Sequence, residues 1–200
     1  MISGFLLSLL IDPDVAKSIA EKPMIVCGAS DVRIAIRWER GHIEQALSFG
    51  RAVEQTLLDE RGWRRAGIDF CWSDGPPDIE ISLASPARTD ELCYPIATYG
   101  QVSCAIGPRV TINEKRWREA TRAWDDIEDY RRYVINHEVG HALDMPHRYN
   151  CTKSGRAPLM MQQSRDKKRC DAPGIWPTAN EILTLKKKRG GSAHGEKEKK

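Results

Sequence analysis

Three histidines and one glutamate, close together in the chain, have the types and the spacing of a metal site. The segment His137-Glu138-Val139-Gly140-His141 matches the pattern H-E-x-x-H, and His147 follows six residues later. Residues four apart share one face of a helix, so both imidazoles can reach one metal ion while Glu138 lies beside it. We therefore predict one catalytic zinc ion with the ligands His137, His141 and His147, and a fourth position left open to water.

The same side chains indicate a hydrolytic reaction. Zinc in such a site lowers the pKa of water toward 7 and polarises a carbonyl group. Glu138 is then expected to act as the general base, which takes the proton of the water and returns it to the leaving amine. The expected reaction is hydrolysis of a peptide bond, and the expected partner is a protein or peptide substrate.

The motif lies in the helix that the sequence predicts most clearly. Apolar residues recur at helical spacing from about residue 126 to residue 143, and the acidic residues at the start suit the positive end of the helix dipole. His147 comes just after Pro146, so the chain must turn back toward the metal beyond the helix. A shorter helix is predicted at 178–185, with Thr178 as its N-cap.

The other elements predict a sheet with a covering helix. Apolar alternation and turn signals indicate strands at 32–38, 68–72, 79–83 and 109–113. Helical spacing of apolar residues predicts a helix over 43–59, and the turn-rich segment 93–107 is expected to be a loop. We expect an α+β domain in which a mixed sheet is backed by this helix and fronted by the zinc helix.

The six cysteines, at 27, 71, 93, 104, 151 and 170, include no Cys-x-x-Cys pair. Cys93 with Cys104, and Cys151 with Cys170, would each close a short loop, and such bridges imply an oxidising compartment. Six reduced and buried thiols are the alternative, because pairing cannot be deduced from sequence. A lone Cys27 is expected to be a small buried residue rather than an inhibitory zinc ligand.

The net charge of +3 comes mainly from the C-terminus, where Lys186 to Lys200 contain seven Lys and Arg residues against two Glu. A nucleic-acid surface needs basic residues clustered on folded structure, so no nucleic-acid partner is expected. We interpret residues 185–200 as a basic disordered tail and residues 32–184 as the zinc peptidase domain.

The apolar run at residues 2–11 is too short to cross a bilayer, so no stable membrane insertion is expected. It also lacks the basic start and the small residues that a signal peptide needs. We treat residues 1–31 as an N-terminal segment with a targeting or pro-segment role left open. The protein is expected to be a monomer, outside the cell or at its surface.

The longer pattern resembles that of the metzincin peptidases, H-E-x-x-H-x-x-G-x-x-H followed by a methionine-containing turn. The three ligand positions and the base match, but Asp144 stands where that family has glycine, which lets the backbone turn toward the third ligand. Asp tolerates the left-handed conformation better than most residues, so the turn remains available at some strain. The resemblance implies a metzincin-like zincin fold in which residues 79–83 form the edge strand that pairs with an extended substrate. An ordinary interior strand is the alternative for these residues.

A closer resemblance covers residues 33–180, to an uncharacterised family of bacterial proteins assigned as extracellular metallopeptidases. The shared stretches are LLD at 57–59, GW at 62–63, LASP at 83–86, VSC at 102–104, YRRYVIN at 130–136 and PLMMQQ at 158–163. This resemblance implies that Met160 or Met161 forms the methionine turn beneath the metal. It also implies the bridges Cys93–Cys104 and Cys151–Cys170.

Three alternatives keep part of this site. A thermolysin-like peptidase would take its third ligand from Glu181, forty residues beyond the second histidine. A deformylase-like enzyme would combine Cys93 with the two helical histidines. A catalytically inactive, metal-stabilised binding module would use the histidines structurally, although it would not need Glu138. Arg148 and Tyr149 lie near the site in sequence, but each is expected to be an ordinary surface residue.

Overall fold

The computed structural model describes residues 27–28, 31–38, 43–72, 75–164 and 170–195 of the chain. The strands in these ranges are β1 (Val32–Trp38), β2 (Phe70–Trp72), β3 (Ile79–Ala84), β4 (Cys104–Ile106) and β5 (Arg109–Asn113). The α-helices are α1 (Ile43–Leu57), α2 (Pro86–Leu92), α3 (Glu114–Glu119), α4 (Ile127–Ala142) and α5 (Ala179–Gly195). The four predicted strands and three predicted helices are all present, whereas α2, α3 and β4 were not predicted.

The strands form one mixed sheet in the order β2-β1-β3-β5-β4. β1 is parallel to β2 and β3, β3 is parallel to β5, and only β4 is antiparallel to its neighbour β5. The predicted α+β class with a mixed sheet is therefore confirmed at this level.

The prediction that residues 79–83 form an edge strand is wrong, because β3 lies inside the sheet. It pairs with β1 on one side and with β5 on the other, with Ile81 opposite both Ile36 and Val110. Alternation shows which face of a strand is buried, and Ile79, Ile81 and Leu83 are indeed buried. It does not show the lateral position of the strand. The edge strands of the described sheet are β2 and β4, and β4 lies in the segment expected to be a loop.

One apolar core joins the sheet to α1 and α4. Phe49 and Val53 of α1, Val134 and Val139 of α4, and Ile81 of β3 are all buried in it. The two helices also contact each other directly. The predicted arrangement with one helix behind the sheet and the other in front is therefore wrong.

All six cysteines are paired. The bridges Cys93–Cys104 and Cys151–Cys170 are confirmed. A third bridge, Cys27–Cys71, corrects the expectation that Cys27 is unpaired, and it excludes that thiol as a zinc ligand. It ties the start of the described chain to β2.

The C-terminal helix is longer than predicted. α5 continues to Gly195, and Leu185 is buried, so the predicted disorder from residue 185 is wrong as far as residue 195. Residues 196–200, like most of the N-terminal segment 1–31, lie outside the described residues. In the part of the chain that is described, the helices are too short or too polar to cross a membrane.

Candidate metal centre

α4 positions the first two histidines on one buried face. Asp126 caps the helix by accepting a hydrogen bond from the Asp129 amide. His137 and His141 are one turn apart, and their Nε2 atoms are 3.2 Å from each other. The helix therefore brings two imidazole nitrogens to one point.

A left-handed turn at the end of α4 brings in the third histidine. Asp144 has φ of 62°, as the comparison with glycine at this position predicted. The Asp144 amide donates to the His141 carbonyl at 2.8 Å, and the Met145 amide donates to the Gly140 carbonyl at 2.9 Å. These two bonds form a Schellman motif, in which the residue in the left-handed conformation ends the helix. The chain then reverses, and the Nε2 of His147 lies 3.0 Å from that of His141.

Two backbone carbonyls set the tautomers of the helical histidines. The Nδ1 of His137 donates to the Leu159 carbonyl at 2.9 Å, and the Nδ1 of His141 donates to the Met145 carbonyl at 2.9 Å. A carbonyl only accepts, so each Nδ1 carries the proton and each Nε2 presents a lone pair when the ring is neutral. Metal-bound histidines have this second contact as a rule.

The convergence of these lone pairs fits a metal ion. Two neutral rings that both carry their proton on Nδ1 have no hydrogen bond to share through Nε2. Tetrahedral zinc with nitrogen ligands at about 2.05 Å separates those ligands by about 3.3 Å, close to the spacings observed here. Ligand atoms of His137, His141 and His147 all lie within 4.8 Å of one another, a cluster compatible with a bound cation.

Burial controls the charge of the site. It lowers the pKa of His137 to about 3, with a further contribution from the neighbouring His141, and it lowers the pKa of His141 as well. Both rings are therefore neutral near pH 7, as metal ligands must be. Burial also raises the pKa of Glu138 to about 8, and this side chain is 7% exposed.

Met160 packs against the backbone of α4 between the two helical histidines. Met160 is fully buried, and a Cβ atom built on Gly140 would be 2.5 Å from its Sδ and 2.7 Å from a ring carbon of Trp63. Gly140 therefore lets Met160 and Trp63 approach the helix backbone between the two ligands. Of the two predicted methionines, Met160 is the one in this position.

The histidines open into a cleft of about 380 Å³. Glu138 lines it beside the three rings, and β4 with the preceding loop contributes Ile96 and Val102 to one wall. Further lining residues are Ser103, Cys104, Ala105, Tyr133, Asp144, Met145, Pro146, Gln162, Ser164 and Lys188. Solvent and small molecules can therefore reach the point where the three histidines converge.

Several candidates from the sequence lie elsewhere. Glu181 is not part of the histidine cluster; its buried carboxylate accepts hydrogen bonds from the amides of Leu159 and Met160, so the thermolysin-like alternative is wrong. Cys93 is bridged to Cys104, which excludes the deformylase-like ligand set.

The two residues near the site in sequence do not line the cleft. Arg148 donates to Thr184, while the Tyr149 ring is 67% exposed and lies 6.4 Å from the ring of His147.

Tyr133 and Lys188 are among the cleft residues that sequence reasoning missed. Tyr133 lies one turn before His137 on the same helix face, a spacing that the motif itself could have indicated. Its hydroxyl donates to the Met161 carbonyl at 2.9 Å and accepts from the Gln163 amide at 2.9 Å. Lys188 comes from the basic run, where nothing in the sequence distinguishes it from its neighbours.

The chain belongs to the family described as "Protein of unknown function (DUF3152)", whose model matches residues 26–181. No curated protein matches the chain.

Proposed function

We propose that this protein is a zinc-dependent peptidase of the metzincin type. The observation that carries the proposal is the convergence of three imidazole Nε2 atoms, two of them with tautomers set by backbone carbonyls, beside a buried glutamate in an open cleft. The left-handed turn at Asp144 and the contact of Met160 with the helix backbone at Gly140 also support a metzincin-like zincin fold.

The donor set favours zinc over harder cations. Three neutral imidazoles suit zinc and related transition metals, whereas magnesium and calcium prefer oxygen ligands. When bound at His137, His141 and His147, zinc supplies a Lewis acid that polarises the scissile carbonyl and acidifies water. Three protein ligands with the remaining side facing a cleft are typical of a catalytic rather than a structural zinc site.

Glu138 is the proposed general base. It follows His137 directly in α4, and its carboxyl group lines the same cleft as the three rings. In the ionised form it takes a proton from the attacking water at a carboxylate oxygen, and in the protonated form it delivers this proton to the leaving amine. A buried carboxyl group with a raised pKa suits both halves of this exchange.

β4 is the strand that we propose pairs with the substrate. Within the described sheet it has a partner, β5, on one side only, and its residues Cys104 and Ala105 line the cleft. An extended polypeptide added along its outer edge would gain main-chain hydrogen bonds with little demand on its sequence. This role replaces the one expected for residues 79–83.

The three disulfides support an extracellular or cell-surface location. Such bridges persist in oxidising compartments and are rare in the reducing cytosol. We propose that the protein is secreted or displayed at the surface and acts there as a monomer on protein or peptide substrates.

The first test is elemental analysis of the purified protein, in parallel for the wild type, His147→Ala and Glu181→Ala, with each protein assayed on unfolded casein. We expect one equivalent of zinc in the wild type, loss of zinc in His147→Ala, and cleavage of casein that a chelator abolishes. Glu181→Ala serves as the control for the rejected ligand and keeps measurable zinc. Zinc retained by His147→Ala, or a zinc-loaded wild type that cleaves no peptide bond, would contradict the proposal.

A further inference from the structure

One face of α5 contacts the segment that completes the metal centre. Glu181, Thr184 and Lys188 follow each other at intervals of three and four residues, which places them on a single side of the helix. Leu185 lies on the same side and is 2% exposed, so the helix is packed into the core at this point. Each of the three polar side chains reaches a different part of residues 144–160.

Glu181 holds the peptide that orients the first ligand. Its carboxylate is 1% exposed and accepts from the Met160 amide at 2.8 Å and the Leu159 amide at 3.3 Å. The Leu159 carbonyl in turn accepts from Nδ1 of His137. Glu181 also forms a capping box with Thr178, so its own position is set by the start of α5.

Thr184 holds the residue after the third ligand. Its hydroxyl accepts from the Arg148 guanidinium at 3.0 Å, and the Arg148 amide donates to the Met160 carbonyl at 2.9 Å. The chain on the C-terminal side of His147 is therefore tied both to α5 and to the backbone of Met160.

Lys188 holds the turn before the third ligand. Its ammonium group donates to the Asp144 carbonyl at 2.6 Å and forms an ion pair with the Asp144 carboxylate. Asp144 is the residue in the left-handed conformation, which is unfavourable for residues that carry a Cβ atom. The ion pair is exposed, so its charge interaction alone is weak. Its importance lies in where it acts, directly at the turn that redirects the chain toward His147.

We propose that Glu181, Thr184 and Lys188 are positioning residues that hold the three imidazoles together, and that Lys188 secures the left-handed turn at Asp144. This inference goes beyond the proposed peptidase activity, because it concerns how the metal centre is assembled. It assigns a role to Thr184 and Lys188, which lie after residue 181, where the family match ends.

Lys188→Met tests the proposal, because it keeps the aliphatic chain and removes the ammonium group at an exposed position. We expect the zinc dissociation constant, measured by competition with a chromogenic chelator, to rise about tenfold. Replacing a residue that supports a metal ligand typically weakens metal binding by at least this factor. Lys187→Met removes the neighbouring exposed lysine and is the matched control, for which we expect no change. Equal zinc affinity in Lys188→Met and the wild type would overturn the proposal.

Asp144→Gly shows whether the lysine acts through the turn. Glycine adopts positive φ without the cost of a Cβ atom, so the turn no longer needs support. In the Asp144→Gly background we expect Lys188→Met to change zinc affinity by less than about threefold, which a double-mutant cycle measures as coupling. A full tenfold effect in both backgrounds would show that Lys188 does not act by supporting the left-handed conformation of Asp144 and would overturn the inference.

Amide hydrogen exchange of the metal-free protein is a second test of the role of Lys188 at the turn. The Asp144 and Met145 amides close the turn, so we expect them to exchange about tenfold faster in Lys188→Met than in Lys187→Met or the wild type. Unchanged exchange at both amides would contradict the proposal. Neither measurement uses a substrate, so an inactive but zinc-binding protein would refute the peptidase assignment and leave this inference intact.

Discussion

The two helices that contribute side chains to the metal centre, α4 and α5, play different parts in it. α4 supplies two proposed ligands and the proposed base, and its central residues from Tyr133 to Gly140 are all buried. α5 supplies no ligand; it contributes hydrogen bonds to backbone groups and to side chains of the ligand-bearing segment. Ligands are restricted in type and spacing, so α4 is recognisable in the sequence. Supporting contacts can be made by many side chains, so α5 looked like an ordinary helix end with a charged tail.

The largest effect on activity is expected for Glu138→Gln, which tests the chemical role assigned to α4. We expect peptide cleavage to fall by at least about 100-fold, because a general base contributes about 10² to 10⁴ in rate, while zinc content stays at one equivalent. The measurement is casein hydrolysis together with elemental analysis. Full activity in this variant would exclude Glu138 as the general base. Equal inactivity of wild type and variant, with zinc bound, would favour the metal-stabilised binding module.

The corresponding change in α5 is Glu181→Gln, which keeps the shape and removes the charge. One of its oxygen acceptors becomes an NH₂ group that faces backbone amides, so we expect the free energy of unfolding to fall by about 1–3 kcal/mol. We also expect zinc affinity to fall by about 10- to 100-fold, because the Leu159 carbonyl that orients His137 loses its support. Urea denaturation and chelator competition measure the two effects. A stability loss with unchanged zinc affinity would show that Glu181 only supports the fold.

Gly140→Ala tests packing within α4 without altering a ligand. The new Cβ would lie 2.5 Å from Met160 Sδ and 2.7 Å from the Trp63 ring, so these side chains must move. We expect the overpacking to lower the free energy of unfolding by about 1–3 kcal/mol, measured by urea denaturation of the metal-free protein. Gly190→Ala in α5 is the matched control, since a Cβ there meets nothing within 4 Å. Equal effects of the two substitutions would contradict the packing argument.

The smallest effect is expected at a site remote from both helices. Arg33 hydrogen-bonds Asp78 and lowers the pKa of that carboxyl group to about 2. Because the folded-state pKa lies below the unfolded value, this pair stabilises the fold above about pH 4, and its contribution is lost as the pH falls through about 2.

Asp78→Asn measures this contribution in the metal-free protein. We expect the variant to have a lower urea midpoint than the wild type at pH 6, with the difference narrowing toward pH 2. The shift should be small, because both side chains are more than 40% exposed. Zinc affinity should not change. A difference between the two proteins that grows on acidification would show that the sign of the linkage is wrong.

The contrast between strand position and strand face shows why part of the fold could not be predicted. Ile79, Ile81 and Leu83 alternate, and all three are buried, so the buried face of β3 was predicted correctly. Its place between β1 and β5 was not, because lateral order depends on how distant segments connect and pack. β4 is only three residues long and lies in a turn-rich segment, so its period is too short to detect.

The sequence by itself determined the features that short-range rules control. These are the helix with its two histidines, the third histidine after a left-handed turn at Asp144, and the regular elements whose side-chain period is long enough to recognise. Such features depend on helical periodicity, on the few residue types that bind zinc, and on the backbone conformations that each residue tolerates.

The tertiary structure alone decided which residues surround and support those ligands. The Leu159 carbonyl against His137, the Glu181 carboxylate behind it, Lys188 at Asp144 and the Cys27–Cys71 bridge each join positions at least 22 residues apart. These contacts are made by backbone groups or by side chains of common types, and no fixed spacing in the sequence identifies them. Only the packing of the whole chain selects one pairing among many, because the free energy of each contact depends on the burial that the other contacts create.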